Sequence, residues 1–214
     1  MTTAERLLVI YDRMFTQLGH QRWWPAETPF EVMVGAILTQ NTSWRNVERA
    51  IANLKGVGLM SLEALSALPV GLLAEYIRPA GYYNIKAGRL HNLLTFINEH
   101  HDGDLQGFLD QPLPAFREQL LSIKGIGRET ADSILLYAAN LPIFVVDTYT
   151  HRILVRHQVI DEEFGYEAIQ ELFMDHLACD TQLYNEYHAL LVRVGNVYCK
   201  KKNPNCAACP LQGL

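Results

Sequence analysis

Ile123-Lys124-Gly125-Ile126-Gly127-Arg128-Glu129-Thr130-Ala131-Asp132, followed by Val145-Val146-Asp147-Thr148, is the stretch on which the reading of this chain turns. Gly125 and Gly127 flank one apolar residue between two intervals of helical periodicity, 113 to 121 and 129 to 139. Glycines at these positions let the backbone turn tightly with positive φ. They also leave amide N–H groups directed outward at the start of the next helix, where the helix dipole favours an anion such as a phosphate. Asp147 closes an apolar run, Ile143 to Val146, and precedes Thr148. Its carboxylate is therefore expected at a helix start against low-dielectric packing, where its pKa can be tuned. Taken alone, the two glycines fit any helix-turn-helix connection, and Asp147 fits a plain helix cap.

Outward from this stretch the chain reads as helix after helix. Apolar residues recur at three- and four-residue spacing over about 4 to 19, 30 to 39, 43 to 54, 61 to 67, 71 to 78, 84 to 100, 113 to 121, 129 to 139, 148 to 157, 166 to 178 and 181 to 197. Strand alternation is nearly absent, so the fold class is all-α. Thr3, Ser43 and Ser61 are placed as N-caps, and Gly56, Gly58, Gly81, Pro112 and Pro142 punctuate the connections.

With 214 residues the chain can bury one large core or two joined lobes. Its 49% hydrophobic and 19% charged content is ordinary for a globular protein, and no apolar run approaches a membrane span. The N-terminus Met1-Thr2-Thr3-Ala4-Glu5-Arg6 lacks the basic-then-apolar pattern of a secretory signal, which makes a cytoplasmic location the expectation. A net charge of −5 argues against a nucleic-acid partner for the chain as a whole, because phosphate binding depends on Lys and Arg. The distribution points the other way. Lys124, Arg128, Arg152, Arg156 and Lys200-Lys201-Lys202 gather in the C-terminal half, while acids concentrate in segments such as Asp161-Glu162-Glu163. The expectation is a basic face on an acidic body, set against simple solvation of each charge.

The pattern Lys-Gly-Ile-Gly-Arg-Glu-Thr-Ala-Asp, with Val-Asp-Thr beginning 19 residues after Gly127, resembles the helix-hairpin-helix motif and catalytic aspartate of the endonuclease III (HhH-GPD) superfamily of DNA glycosylases. The resemblance extends over nearly the whole chain. Pro29-Phe30-Glu31-Val32, Ile37-Leu38-Thr39-Gln40-Asn41-Thr42, Gly81-Tyr82-Tyr83-Asn84-Ile85-Lys86-Ala87 and a cysteine-bearing tail follow in the family's order. It implies a two-lobed fold, with a central six-helix module over 27–141. Residues 1–26 and 142–214 form the second lobe, ending in an iron–sulfur-type loop, and the hairpin and Asp147 border the cleft. It further implies a monomer acting on damaged double-stranded DNA. In this likeness Lys124, Gly125, Gly127, Arg128 and Lys200 to Lys202 contact DNA, Gln40 fills the gap left by a flipped base, and Asn41 assists or caps a helix.

Members that also cut the strand carry a lysine where this chain has Glu129. A carboxylate cannot form the Schiff base on which lyase chemistry depends, so the reading is a monofunctional glycosylase with Asp147 stabilising the positive charge that develops on the sugar. Trp23, Trp24 and Trp44 are candidates for a pocket in which cation–π contact of about 2 kcal/mol selects a positively charged alkylated purine. Their alternative is ordinary core packing. Trp-Trp-Pro, Leu-Thr-Gln-Asn-Thr, Pro-Ala-Gly-Tyr-Tyr-Asn and Glu129 together resemble the 3-methyladenine DNA glycosylase III branch. Cys199, Cys206 and Cys209 match three of the four ligands of the family's 4Fe-4S motif, and the fourth position falls one residue past Leu214. Two other readings stay open: a bifunctional glycosylase/lyase for oxidised pyrimidines, and a non-catalytic helix-hairpin-helix DNA-binding protein.

Overall fold

The computed structural model describes residues 1–214, in which no β-strand occurs. Twelve α-helices follow one another: α1 (Thr3–Leu18), α2 (Pro29–Leu38), α3 (Trp44–Gly56), α4 (Leu62–Ser66), α5 (Val70–Tyr76), α6 (Tyr83–His101), α7 (Leu105–Leu109), α8 (Leu113–Ser122), α9 (Arg128–Ser133), α10 (Thr148–Arg156), α11 (Tyr166–His176) and α12 (Thr181–Val197). Short 3-10 turns cover Arg78–Ala80 and Cys206–Ala208, and α9 continues as a π-helical segment, Ile134–Ala138. Only α7 has no counterpart in the periodic pattern. Its five residues are capped by Asp104, whose side chain accepts from the Gly107 N–H.

Caps account for where the helices begin. The first helix is capped by Thr2, one residue before the expected Thr3, because Thr2 and Glu5 form a reciprocal capping box: each side chain bonds the other's backbone N–H. Ser61 caps α4 as expected, and Ser43 sits at the α3 N-cap with an extended backbone but no side-chain bond. Thr28 caps α2 ahead of Pro29 at the first helical position.

The chain divides into two compact units, Met1–Pro25 with Pro142–Leu214, and Ala26–Leu141. In the second of these, α2 is buried from Phe30 to Leu38 and packs on α3, α6 and α9, as a helix that is apolar all round must. Lys86 lies inside this unit at 1% exposure. Its Nζ donates to the carbonyls of Leu38, at the end of α2, and Ala80, both at 2.8 Å. In the other unit α12 is the central helix, packing on α10 and α1, while α1 also packs on α11. Phe144 and Phe173 stack with centroids 3.8 Å apart, and the buried Tyr187 hydroxyl donates to Leu7 O at 2.8 Å. No helix is long and apolar enough to cross a membrane.

Candidate active site

The hairpin lies wholly within the Ala26–Leu141 unit, with α8 and α9 as its arms. Ile123 and Ile126 anchor the turn in the core, leaving Lys124, Gly127, Arg128 and Glu129 exposed. Gly125 has φ +99, a conformation that L side chains rarely adopt, and a Cβ there would run into Cγ of Arg89 and lie 3.0 Å from its Cδ. Gly127 departs from the positive φ expected of it. Its φ of −97 and ψ of 179 are an extended N-cap conformation open to any residue, and a Cβ there would meet nothing within 4 Å. The protein interior therefore requires glycine at 125 and not at 127. What a side chain at 127 would obstruct is approach from outside to the first amides of α9.

Two ties brace the arms. Arg117 on α8 holds Asp132 on α9 bidentately, Nε to Oδ1 at 2.7 Å and Nη2 to Oδ2 at 3.1 Å, with Asp132 fully buried. Asn92 on α6 donates to Lys124 O at 2.8 Å. Gln40, just beyond α2, meets the turn directly. Its amide donates to Gly125 O at 3.2 Å and Thr130 Oγ1 at 2.9 Å, and its Oε1 accepts from Arg89. Gln40 and the hairpin glycines are thus brought together. Asn41 is exposed with φ +53, and Trp44 begins α3, half-buried. Glu129 stands in the first turn of α9, where the helix dipole favours a carboxylate.

The Met1–Pro25 and Pro142–Leu214 unit carries Asp147, which caps α10. Its Oδ1 accepts from the Thr150 N–H at 2.7 Å and from Thr150 Oγ1 at 2.9 Å. Its Oδ2 stands 3.7 Å from His188 Nε2, an ion-pair distance beyond hydrogen-bond length, with the two side chains 9% and 7% exposed. Burial pushes the carboxyl up, but His188 and the Thr150 donors outweigh it and hold Asp147 below its ordinary value. The carboxylate is charged at neutral pH. Trp23 and Trp24 lie in the same unit, half-buried, with ring centroids 4.9 Å apart.

Lys200, Lys201 and Lys202 are exposed on a bend that Arg156 holds from α10, donating to Lys200 O at 2.8 Å and Lys201 O at 3.2 Å. Arg152 donates to Cys199 O at 2.8 Å and Gly195 O at 3.3 Å. The two arginines thus fasten the tail and do not simply add to a basic face. Cys199 is buried, Cys206 exposed and Cys209 half-buried. The Cys209 thiol is pushed up by burial first and by Cys199 and Cys206 next. A four-iron cluster takes four cysteine ligands. These three sulfurs do not converge into a metal-holding group, so the donor set as it stands does not complete one.

Sequence reasoning missed Arg89, Arg117 and His188. A lone histidine or arginine inside a helical pattern carries no motif, and only tertiary contact pairs it with Gln40, Asp132 or Asp147.

The glycine-turned hairpin and the ionised aspartate capping α10 fit the family found by comparison. The model of the HhH-GPD superfamily of base excision DNA repair proteins matches residues 34–179, and the chain belongs to that superfamily as a DNA repair glycosylase. It is 48% identical over 97% of its length to a Methanocaldococcus jannaschii protein assigned as a DNA repair glycosylase, covering 94% of that protein. It is 29% identical to endonuclease III of Thermotoga maritima, over 86% of this chain and 81% of that one. The solved structure of H. pylori 3-methyladenine DNA glycosylase bound to 1,N6-ethenoadenine superposes with a TM-score of 0.76 at 29% identity, covering 90% of this chain and 96% of that one.

Proposed function

We propose that the protein is a monofunctional glycosylase that binds damaged duplex DNA as a monomer, flips an alkylated purine such as 3-methyladenine, and hydrolyses its N-glycosidic bond to leave an abasic site. The observation that carries this reading is an ionised, nearly buried Asp147 in a chain that has a carboxylate, Glu129, where strand-cutting members of the family have their lysine. A fixed negative charge in a low-dielectric site stabilises the oxocarbenium-like sugar as the bond to the base stretches. It needs no covalent intermediate. Alkylation at N3 or N7 already weakens that bond, so binding and electrostatics suffice. Gly125, Gly127, Lys124, Arg128 and Lys200 to Lys202 are assigned to phosphate contact, Trp23, Trp24 and Trp44 to the base pocket, and Gln40 with Asn41 to the gap in the stack. The family of the H. pylori relative supports the choice of lesion.

The test is release of methylated purines from alkylated duplex DNA. Wild type should release them, and Asp147→Asn, which keeps a capping acceptor but loses the charge, should be slower by about a hundredfold or more. No release by wild type, or full activity in the variant, removes the proposal. Kinship with endonuclease III favours a second reading, a glycosylase/lyase for oxidised pyrimidines working through Lys124; a borohydride-trapped covalent adduct with DNA would establish it. The spacing of Cys199, Cys206 and Cys209 supports uptake of a 4Fe-4S cluster with one further ligand, which iron and acid-labile sulfide per chain would measure.

A further inference from the structure

Asp147 has two carboxylate oxygens, and its own helix occupies only one. Thr150 takes Oδ1 through a backbone and a side-chain donor. Oδ2 faces the imidazole of His188, carried in the middle of α12 at 7% side-chain exposure. The helices α10 and α12 pack along each other, so the imidazole arrives from a different element, which the cap alone does not require. We propose that His188 is a positioning residue for Asp147: it fixes the plane of the carboxylate from the Oδ2 side where the glycosidic bond is broken. This rests on Asp147 acting as the stabilising charge.

Most charged groups on the helices packed here engage other partners. On α10, Arg152 and Arg156 are turned to the tail carbonyls, and His151 Nε2 lies against Glu162 O. On α1, which also packs on α12, Arg6 donates to His157 O and Gln158 O, Arg13 donates to Gln212 O, and Glu5 accepts from Thr2 N. Asp12 acts on Tyr11 and Tyr187. On α12 itself, Glu186 accepts from the Gln21 N–H, and Arg193 is exposed. Besides Thr150, His188 is the side chain that acts on Asp147, and burial of both heightens the interaction by limiting solvent screening.

If the imidazole acts on the carboxylate, removing it must move the titration of Asp147. In the full chain, the Asp147 carboxyl 13C resonance followed against pH should give a higher carboxyl pKa in His188→Leu than in wild type. The kinetic arm compares His188→Leu, which keeps volume without a donor, with His188→Gln, which restores one. His188→Leu should lose about tenfold or more in kcat with KM little changed, and the acid limb of its pH profile should move upward; His188→Gln should recover most of the loss. An unchanged Asp147 titration, or wild-type kcat and acid limb, in His188→Leu overturns the proposal. Equal losses in the Leu and Gln variants would mean that a polar N–H at this place does not hold the carboxylate, and overturn it also. If the wild type releases no alkylated base, the glycosylase reading fails, while the Asp147 titration still decides the pairing. Should His188→Leu fail to fold, the same titration in His188→Met decides.

Discussion

Single residues divide here into those the fold demands and those that only a ligand can explain. Gly125 belongs to the first kind, with a left-handed backbone and the stem of Arg89 pressed where a Cβ would go. Gly127 belongs to the second, since its backbone suits any residue and the space beside it is open. Alanine at the two sites should therefore fail differently. Gly125→Ala should lower the melting temperature, with a loss of about 1–3 kcal/mol from strain and displaced Arg89. Gly127→Ala should melt as wild type does while its affinity for duplex DNA falls by about tenfold, read by a binding titration at fixed salt. Equal melting loss in both would refute the distinction. The sequence motif marks both glycines alike, because a pattern of letters carries no φ.

At the level of helices, the hairpin is a braced element. Arg117 and Asp132 join α8 to α9 by a bidentate pair with one partner fully buried. Removing one partner of such a pair strands the other charge, so Arg117→Met should cost about 3–5 kcal/mol, measured by urea unfolding, and more than the double variant Arg117→Met with Asp132→Leu. A double variant no more stable than the single one would show that the pair contributes no stranded charge. Helix positions are largely legible because most of the long helices show the apolar period of a buried face, and Asp147 announces its cap by standing between an apolar run and Thr148. The brace was not legible. Arg117 and Asp132 are charges on helices, and from sequence alone a charge on a helix reads as solvated surface until packing buries it. The same holds for His188 beside Asp147 and for Arg152 and Arg156, whose place in a basic cluster concealed their grip on the tail.

Taken whole, the molecule distributes its chemistry over two units: the hairpin, Gln40 and Glu129 in one, and Asp147, His188 and the cysteine tail in the other. The first unit holds a pH-dependent element in Lys86, whose amine is lowered to about 8 by burial first and by Arg89 next. Its two carbonyl partners match the two N–H bonds of a neutral amine. Unfolded, the same lysine holds its proton to about pH 10.4, so between about 8 and 10 the unfolded chain binds more protons and stability rises with pH. Below 8 both states are charged and that gain is absent. Denaturation at pH 7.5 and 9.5 should accordingly show Lys86 contributing more at the higher pH, by on the order of 1–3 kcal/mol relative to Lys86→Met; a difference independent of pH would contradict it. The account as a whole rests on a reaction that stops at base removal. An end-labelled duplex bearing methylated adenines, incubated with the protein and divided into portions with and without hot alkali, tests this most directly. The prediction is free methylated purine in both portions and strand breaks only after alkali, whereas breaks without alkali, or no released purine, would contradict it.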